Sequence, residues 1–483
     1  MEARNIFQNI SPIDHRYSIS ESAIYQSLVP WISEEASIAA CVKAEIALVI
    51  AHLSVRGKPI DEIKNELYKC EVDPSEVYEE EEKTHHNIRA LVNVLKRKVP
   101  QELAHLVHLG ATSVDILDTG LSWRMAGVTR EVILPLLKKL ELLLCSFTER
   151  EADTPQVGRT HGQHAVPITL GFAFAEYVSR LGKSILEIEK RSKELKGKLS
   201  GAVGAYNATS MIVKDPQELE RVYLAELGLE PSEHSTQLVE PEYLLRLLLE
   251  FNVAFGIIAN LADDLRSLQR SEIGEVREGF GAQQVGSSTM PQKRNPWNSE
   301  HVKSLWKAFM PRVTTFFMDQ ISEHQRDLTN SASMRFIADY AAGFCLAVSR
   351  MTKVIEDLGA DREKLAANLQ GRGNSGGISA GIPGGVMAEP AYILLAETGV
   401  SDAHEVIRRI TLAAEKEKLS FAAALARENG LLEKIGGKMT ELGLVSKEGE
   451  ALSFFENPHL YSGLASKRAK ALAEKYSKLM GGC

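Results

Sequence analysis

The apolar positions of this chain recur with the period of a helix through most of its middle. Val132, Leu136, Leu140, Leu144 and Phe147 follow one another at intervals of three or four residues. Phe174, Val178, Leu181, Ile185 and Ile188 do the same, as do Leu247, Phe251, Phe255, Ile258 and Leu261. Such spacing gathers each set on one face of an α-helix. Pro167, Pro241 and Pro296 each stand just ahead of a periodic run, where the first helical turn tolerates a missing N–H. Pro135 lies inside a run and is expected to kink it. The pattern predicts about five long helices between residues 114 and 362, packed as a bundle.

Leu247, Leu248 and Leu249 are consecutive, and no single stripe can hold all three. A helix that is apolar most of the way round is buried on several sides, which in so long a bundle points to burial between subunits rather than within one monomer. The most apolar run, Tyr243 to Leu265, is broken by Arg246, Glu250, Asp263 and Asp264. It reads as a buried helix and not as a membrane span. Residues 1–112 read as a shorter helical region in which Glu79, Glu80, Glu81 and Glu82 form a solvated face. Residues 363–483 include a glycine-rich tract, Gly371 to Gly385, that lacks the lysine and hydroxyl of a phosphate loop and reads as a flexible loop without a catalytic role. No repeat and no strand-rich block is apparent. The predicted class is all-α in three domains, 1–112, 113–362 and 363–483, the middle one a long-helix bundle.

Composition changes this picture little. A chain of 483 residues has room for about three domains, and 44% apolar with 25% charged residues is ordinary for a globular protein. The net charge of −8 gives no basic field for nucleic acid, so an anionic small substrate would need a local basic pocket. The five cysteines are odd in number and form no CxxC pair; neither metal nor disulfide is expected, and a reducing cytoplasm fits best. The opening MEARNIFQNISPIDHRY carries early charges without an apolar core, so no signal peptide is expected.

Chemistry concentrates in a few clusters. The stretch Gly286-Ser287-Ser288-Thr289-Met290-Pro291-Gln292-Lys293-Arg294-Asn295-Pro296 can aim Ser287 and Lys293 at one point. There a serine oxygen could remove a proton from a carbon beside a carboxylate, with Lys293 and Asn295 holding the charge that builds up. The residues alone also permit an ordinary surface loop. A second cluster, Gly158-Arg159-Thr160-His161-Gly162-Gln163-His164, is placed at a helix entrance and offers a histidine able to give up a proton near neutral pH. In Thr84-His85-His86-Asn87 the adjacent histidines lack acid or cysteine partners at helical spacing beyond the solvated glutamates, so no metal is expected. In His108-Leu109-Gly110-Ala111-Thr112-Ser113, Thr112 or Ser113 can cap a helix whose N-terminus also suits an anion. Arg16 beside Tyr17, and Arg326 and Arg335 flanking Ser331, offer forks for carboxylate or phosphate.

GSSTMPQKRNP closely resembles the signature of the fumarase/aspartase superfamily of lyases. The segments SPIDHRY, Thr160-His161-Gly162, QRDLTNS and Ser235-Thr236-Gln237 with Glu240-Pro241 resemble its adenylosuccinate lyase branch. The resemblance runs from about Ser11 to about Arg335. It implies Ser287 as the base, with Ser288 as the near alternative, and His161 as the general acid oriented by Glu300. It implies His86 as a second active-site histidine. It assigns substrate contacts to Arg16, Tyr17, His108, Thr112, Ser113, Thr160, Gln237, Ser288, Asn295, Arg326, Ser331 and Arg335. Two departures stand out: Asn87 replaces the usual aspartate, and the arginine that some members carry just beyond Gln237 is absent, so one anion contact must come from elsewhere. The implied activity is β-elimination of fumarate from an anionic succinyl substrate of purine synthesis, without metal or organic cofactor. The implied assembly is a cytoplasmic homotetramer whose active sites are shared by three subunits. The alternatives are an argininosuccinate lyase or carboxymuconate cycloisomerase, towards which Gln292 and the Gly-Ala-Thr-Ser run lean, and a non-catalytic protein of the same fold. Ser287, Lys293, His161 and His86 occurring together speak against the last.

Overall fold

The periodic runs form helices in the computed structural model, which describes residues 5–281, 283–371 and 382–481. Most of the glycine-rich tract and Cys483 lie outside the described residues. In chain order, α1 (Glu34–Ser54), α2 (Pro74–Thr84) and α3 (Asn87–Lys98) lead into α4 (Ser113–Val128) and α5 (Leu134–Arg150). A hairpin comes next, made of β1 (Pro155–Thr160) and β2 (Gln163–Thr169). Then come α6 (Leu170–Lys193), α7 (Glu242–Leu268), α8 (Trp297–Phe309) and α9 (Ile337–Glu356), and later α10 (Ala465–Gly481). The remaining named strands among the described residues are two residues long, and the class is all-α.

One expectation is corrected here. Pro167 does not open a helix; it sits in β2, and α6 starts three residues later. Pro135 is accommodated by a π-helical turn, Thr129–Ile133, directly ahead of α5. The wider turn absorbs the missing N–H and the clash with the preceding carbonyl. It also rotates the start of α5, so that Leu137, and not Leu136, is the fully buried residue there.

The chain divides into two compact units, one of Met1–Leu137, Lys183–Gly256 and Ser304–Ser349, the other of Lys138–Gly182, Ile257–Lys303 and Arg350–Cys483. Helices α5 to α9 each contribute residues to both.

In the first unit α1 is the central core element. Ser33 caps it, accepting the Ala36 N–H at 3.0 Å, and every residue from Ile46 to Ala51 is at most 2% exposed. Helix α4 comes close to it, with a Cβ placed at Gly120 meeting the Ala40 side chain at 3.7 Å. Beneath the start of α4 lies a fully buried ion pair, Lys198 with Asp115. The Asp115 carboxylate also accepts the N–H groups of Thr112 at 2.8 Å and Ser200 at 3.2 Å.

In the second unit, small residues let α10 come close to the bundle segments. Ala152, Ala175 and Ala469 form one contact cluster, and a Cβ at Gly182 would fall 2.2 Å from the Tyr476 ring. Glu141 of α5 is 0% exposed here, and neither carboxyl oxygen has a hydrogen-bond partner among the described residues. Burial pushes its pKa up to about 9. The folded protein therefore holds a neutral acid that the unfolded chain would ionise from roughly pH 4.5 upward. Stability from this group is full below that point and is lost as pH rises towards 9. Glu141→Gln is expected to stabilise the protein by about 3 kcal/mol at pH 7, with the gain growing between pH 6 and pH 9. Denaturant unfolding of both proteins across that range measures it; parallel curves would refute the assignment.

Two stretches, Ser22–Ser54 and Glu242–Leu268, are long and apolar enough to cross a membrane by composition, and their windows are 83% and 56% buried within the chain. On α7, Leu247, Phe251, Phe255, Ile258 and Leu261 are buried as the periodicity predicts, whereas Val253 is 51% exposed.

Candidate active site

The signature stretch folds into a closed turn ahead of α8. Gly286 is required there: a Cβ on it would fall 2.1 Å from the Lys293 carbonyl oxygen. The Asn295 amide donates to the Gly286 carbonyl at 3.1 Å, and the Lys293 N–H donates to Met290 at 3.0 Å. Inside this turn Ser287 Oγ accepts the N–H groups of Thr289 at 3.3 Å and Met290 at 3.1 Å. Two backbone donors on one hydroxyl oxygen favour a negative charge there. Ser288 is exposed.

A polar cavity of about 540 Å³ opens beside the turn, lined by Lys293, Asn295, Glu300, Arg266, Arg270 and Arg294 among others. Three arginines and a lysine give the cavity a positive lining of the kind an anionic substrate would need. The start of α8 is fixed by Glu278, which accepts the N–H groups of Asn298 at 3.2 Å and Ser299 at 2.8 Å. A carboxylate suits the positive end of a helix, and it settles where Glu300 projects.

The His161 cluster is not at a helix entrance, as its sequence position suggests. His161 and Gly162 form the two-residue turn between β1 and β2, with φ of 54° and 74°. Left-handed values at both positions match the twist of a tight hairpin. His161 is exposed at the tip, and no hydrogen bond joins its ring to Glu300 among the described residues. The hairpin is pinned by Glu275, a buried carboxylate that no sequence motif marks. Arg159 donates to it at 2.5 and 3.0 Å, and Gln156 and Asn368 each donate at 2.8 Å.

The first unit carries the other candidates. His86 is the N-cap of α3, its Nδ1 accepting the Arg89 N–H at 3.3 Å. In the neutral ring the proton then sits on Nε2. Asn87 turns its side-chain oxygen back to the Ile88 N–H at 2.8 Å. His108 is half-buried, with Nδ1 2.6 Å from Glu45 Oε1. Thr112 is the N-cap of α4 and Ser113 its first residue. Gln237 and Arg326, distant in sequence, meet: Arg326 Nη1 donates to Gln237 Oε1 at 3.3 Å, and the Gln237 N–H donates to the Gln325 carbonyl at 3.2 Å. Two residues on, the Val239 N–H donates to Asp118 at 3.0 Å. Burial raises that carboxyl to about 6. Arg16 and Tyr17 close a π-helical turn, Ile13–Tyr17, with Arg16 exposed; Ser331 and Arg335 are exposed as well.

Residues 13–308 match the model of a family described as lyase, and residues 322–444 match that of the adenylosuccinate lyase C-terminal region. The adenylosuccinate lyase of Pyrococcus horikoshii is 34% identical over 417 residues, covering 84% of this chain and 88% of that one. That of Archaeoglobus fulgidus is 29% identical over 483 residues, covering 98% and 99%. Among solved structures, the 3-carboxy-cis,cis-muconate lactonizing enzyme of Pseudomonas putida superposes with a TM-score of 0.77 at 24% identity, covering 94% of this chain and 97% of that one. The fumarate lyase of Mesorhizobium sp. BNC1 superposes with a TM-score of 0.76 at 20% identity, covering 96% and 98%. At such identities the two structures speak for the fold alone, while the sequence matches carry the family. With both family models matched and relatives aligned over nearly its whole length, the chain belongs to the adenylosuccinate lyase family of the fumarase/aspartase superfamily.

Proposed function

We propose that the chain eliminates fumarate from adenylosuccinate, giving AMP, and from the succinyl-aminoimidazole-carboxamide ribotide of purine synthesis. The observation that carries this reading is the Ser287 oxygen, held by two backbone amides in a turn that closes on Lys293. Ionised Ser287 takes the proton from the carbon beside a substrate carboxylate. The electron pair left behind spreads into that carboxylate, where Lys293 and Asn295 offset the charge. Its return expels the nitrogen, His161 donates the proton that nitrogen needs, and fumarate leaves. The carboxylate is itself the electron sink, so this sequence of steps calls for no cofactor.

Glu300 is assigned to orient His161, and His86 to a second proton-handling place. Thr160, His108, Thr112, Ser113, Gln237, Arg16, Tyr17, Arg326, Ser331 and Arg335 are assigned to hold the anionic ends of the substrate. The proposal includes a cytoplasmic homotetramer whose sites draw on three copies, and it keeps the three-part division at residues 112 and 362. Apolar side chains left in solvent on the long helices support assembly: Val253 at 51%, Leu186 at 40% and Leu142 at 37% exposure.

Purified protein should release fumarate from adenylosuccinate, read by absorbance, and should run as a tetramer in light scattering. Turnover of argininosuccinate or carboxymuconate in place of adenylosuccinate would overturn the substrate assignment. An active monomer would overturn the shared site.

A further inference from the structure

We propose that Glu45 is a positioning residue for His108: its buried carboxylate holds the imidazole so that Nε2 is the ring atom offered to the substrate's anionic group. This rests on the reading that His108 contacts substrate. Glu45 Oε1 lies 2.6 Å from His108 Nδ1, with the glutamate side chain 0% exposed and the histidine side chain 22% exposed. An ionised carboxylate accepts only, so Nδ1 donates to it, and the imidazolium stabilised beside that negative charge keeps a second N–H, on Nε2, for an acceptor-only anion.

Nothing about the fold asks for an acid at this point. Glu45 stands between Ala44 at 0% and Ile46 at 2% exposure, at the start of the buried apolar stretch of α1. Its second oxygen, Oε2, is buried without a hydrogen-bond partner among the described residues. A half-satisfied buried carboxylate costs stability relative to an apolar side chain of its size. Its single bond goes to one of the residues that the substrate reading requires.

The backbone around His108 is held from the same helix face. His108 has φ of 64°, a left-handed value that a non-glycine residue keeps only when its surroundings enforce it. Seven residues beyond Glu45, and so on the same face of α1, His52 Nε2 lies 2.8 Å from the Leu109 carbonyl. Burial lowers the His52 pKa to about 4, so its ring is neutral and Nε2–H is the donor. On the far side, a Cβ at Gly110 would lie 3.0 Å from both Ile212 Cδ1 and Thr209 Cγ2, which leaves the turn little room to shift. One side chain of α1 holds the Leu109–Gly110 peptide, and another holds the His108 ring.

The test compares Glu45→Met, Glu45→Gln and His108→Gln in the full-length assembled protein. Glu45→Met keeps the volume and removes the acceptor. Its thermal midpoint should equal or exceed that of the parent. Its kcat/KM with adenylosuccinate should fall tenfold or more, carried mainly by KM. Glu45→Gln keeps an acceptor oxygen and should fall between the two. A merely structural role predicts the reverse, a lowered midpoint with an unchanged KM. Parental kcat/KM, within twofold, in Glu45→Met alongside a tenfold loss in His108→Gln would overturn the inference alone. Parental activity in His108→Gln would overturn the reading beneath it, and the inference with it. Should Glu45→Met fail to assemble, Glu45→Gln decides: a raised KM at an unchanged midpoint upholds the inference, and a parental KM overturns it.

Discussion

Ser287→Ala is expected to lower kcat with adenylosuccinate by about 10³-fold while changing KM by only a few-fold, the pattern for a group that acts in the transition state. The methyl group fits the space, since the loop is closed by Gly286, Asn295 and Lys293 and not by the hydroxyl. What the substitution removes is the oxygen to which Thr289 and Met290 point their amides. Ser288→Ala serves as the comparison. Ser288 is exposed, and its loss should be far milder. Steady-state fumarate release from variants whose assembly is checked by light scattering gives the answer. A Ser287→Ala enzyme within tenfold of the parent, or a Ser288→Ala enzyme the more impaired of the two, would remove Ser287 from the role of base.

The second large effect is on stability. Asp115→Ala should destabilise the protein by about 3–5 kcal/mol, because it strips the buried Lys198 ammonium of its ion-pair partner and leaves only the longer-range charges of Asp118 and Glu220. Both side chains are 0% exposed, and the carboxylate also collects the N–H groups of Thr112, Ser200 and Gly201. Lys198→Met should cost a similar amount for the mirror reason. The double variant Asp115→Ala/Lys198→Met should cost less than the sum of the single changes, since neither charge is then stranded. Denaturant unfolding of the four proteins measures the coupling. A single-variant cost below about 1 kcal/mol would show that the pair is solvated and the burial argument misplaced.

Helices were legible because a long apolar stripe has one explanation. Leu140, Leu144 and Phe147 on α5, and Phe251, Phe255 and Ile258 on α7, are buried at the predicted spacing. The exception, Leu136, fails where a π-helical turn shifts the register, and nothing in a regular spacing announces an inserted residue. The hairpin escaped because Arg159 to His164 is polar throughout and shows no alternation, and because His-Gly is a weaker turn signal than Asn-Gly. Of the site, the turn from Gly286 to Pro296 could be read directly, since its residues act on one another over a short stretch of chain. Glu45, Glu275 and Glu278 could not. Each is one acid among many until its partner arrives, and those partners are as far away as Arg159, Ser299 and His108. The one hint was Glu45 alone in an otherwise apolar run, Ala44 to Ala51.

His161 reaches its place because a two-residue reversal joins two arms of fixed pairing, with Thr160 opposite Gln163. Residue identity along those arms can drift while the tip stays where it is. Length cannot: one residue gained or lost on either side would present Thr160 or Gly162 at the apex and withdraw the imidazole. Insertions and deletions, more than substitutions, are what natural variation must avoid between Pro155 and Thr169.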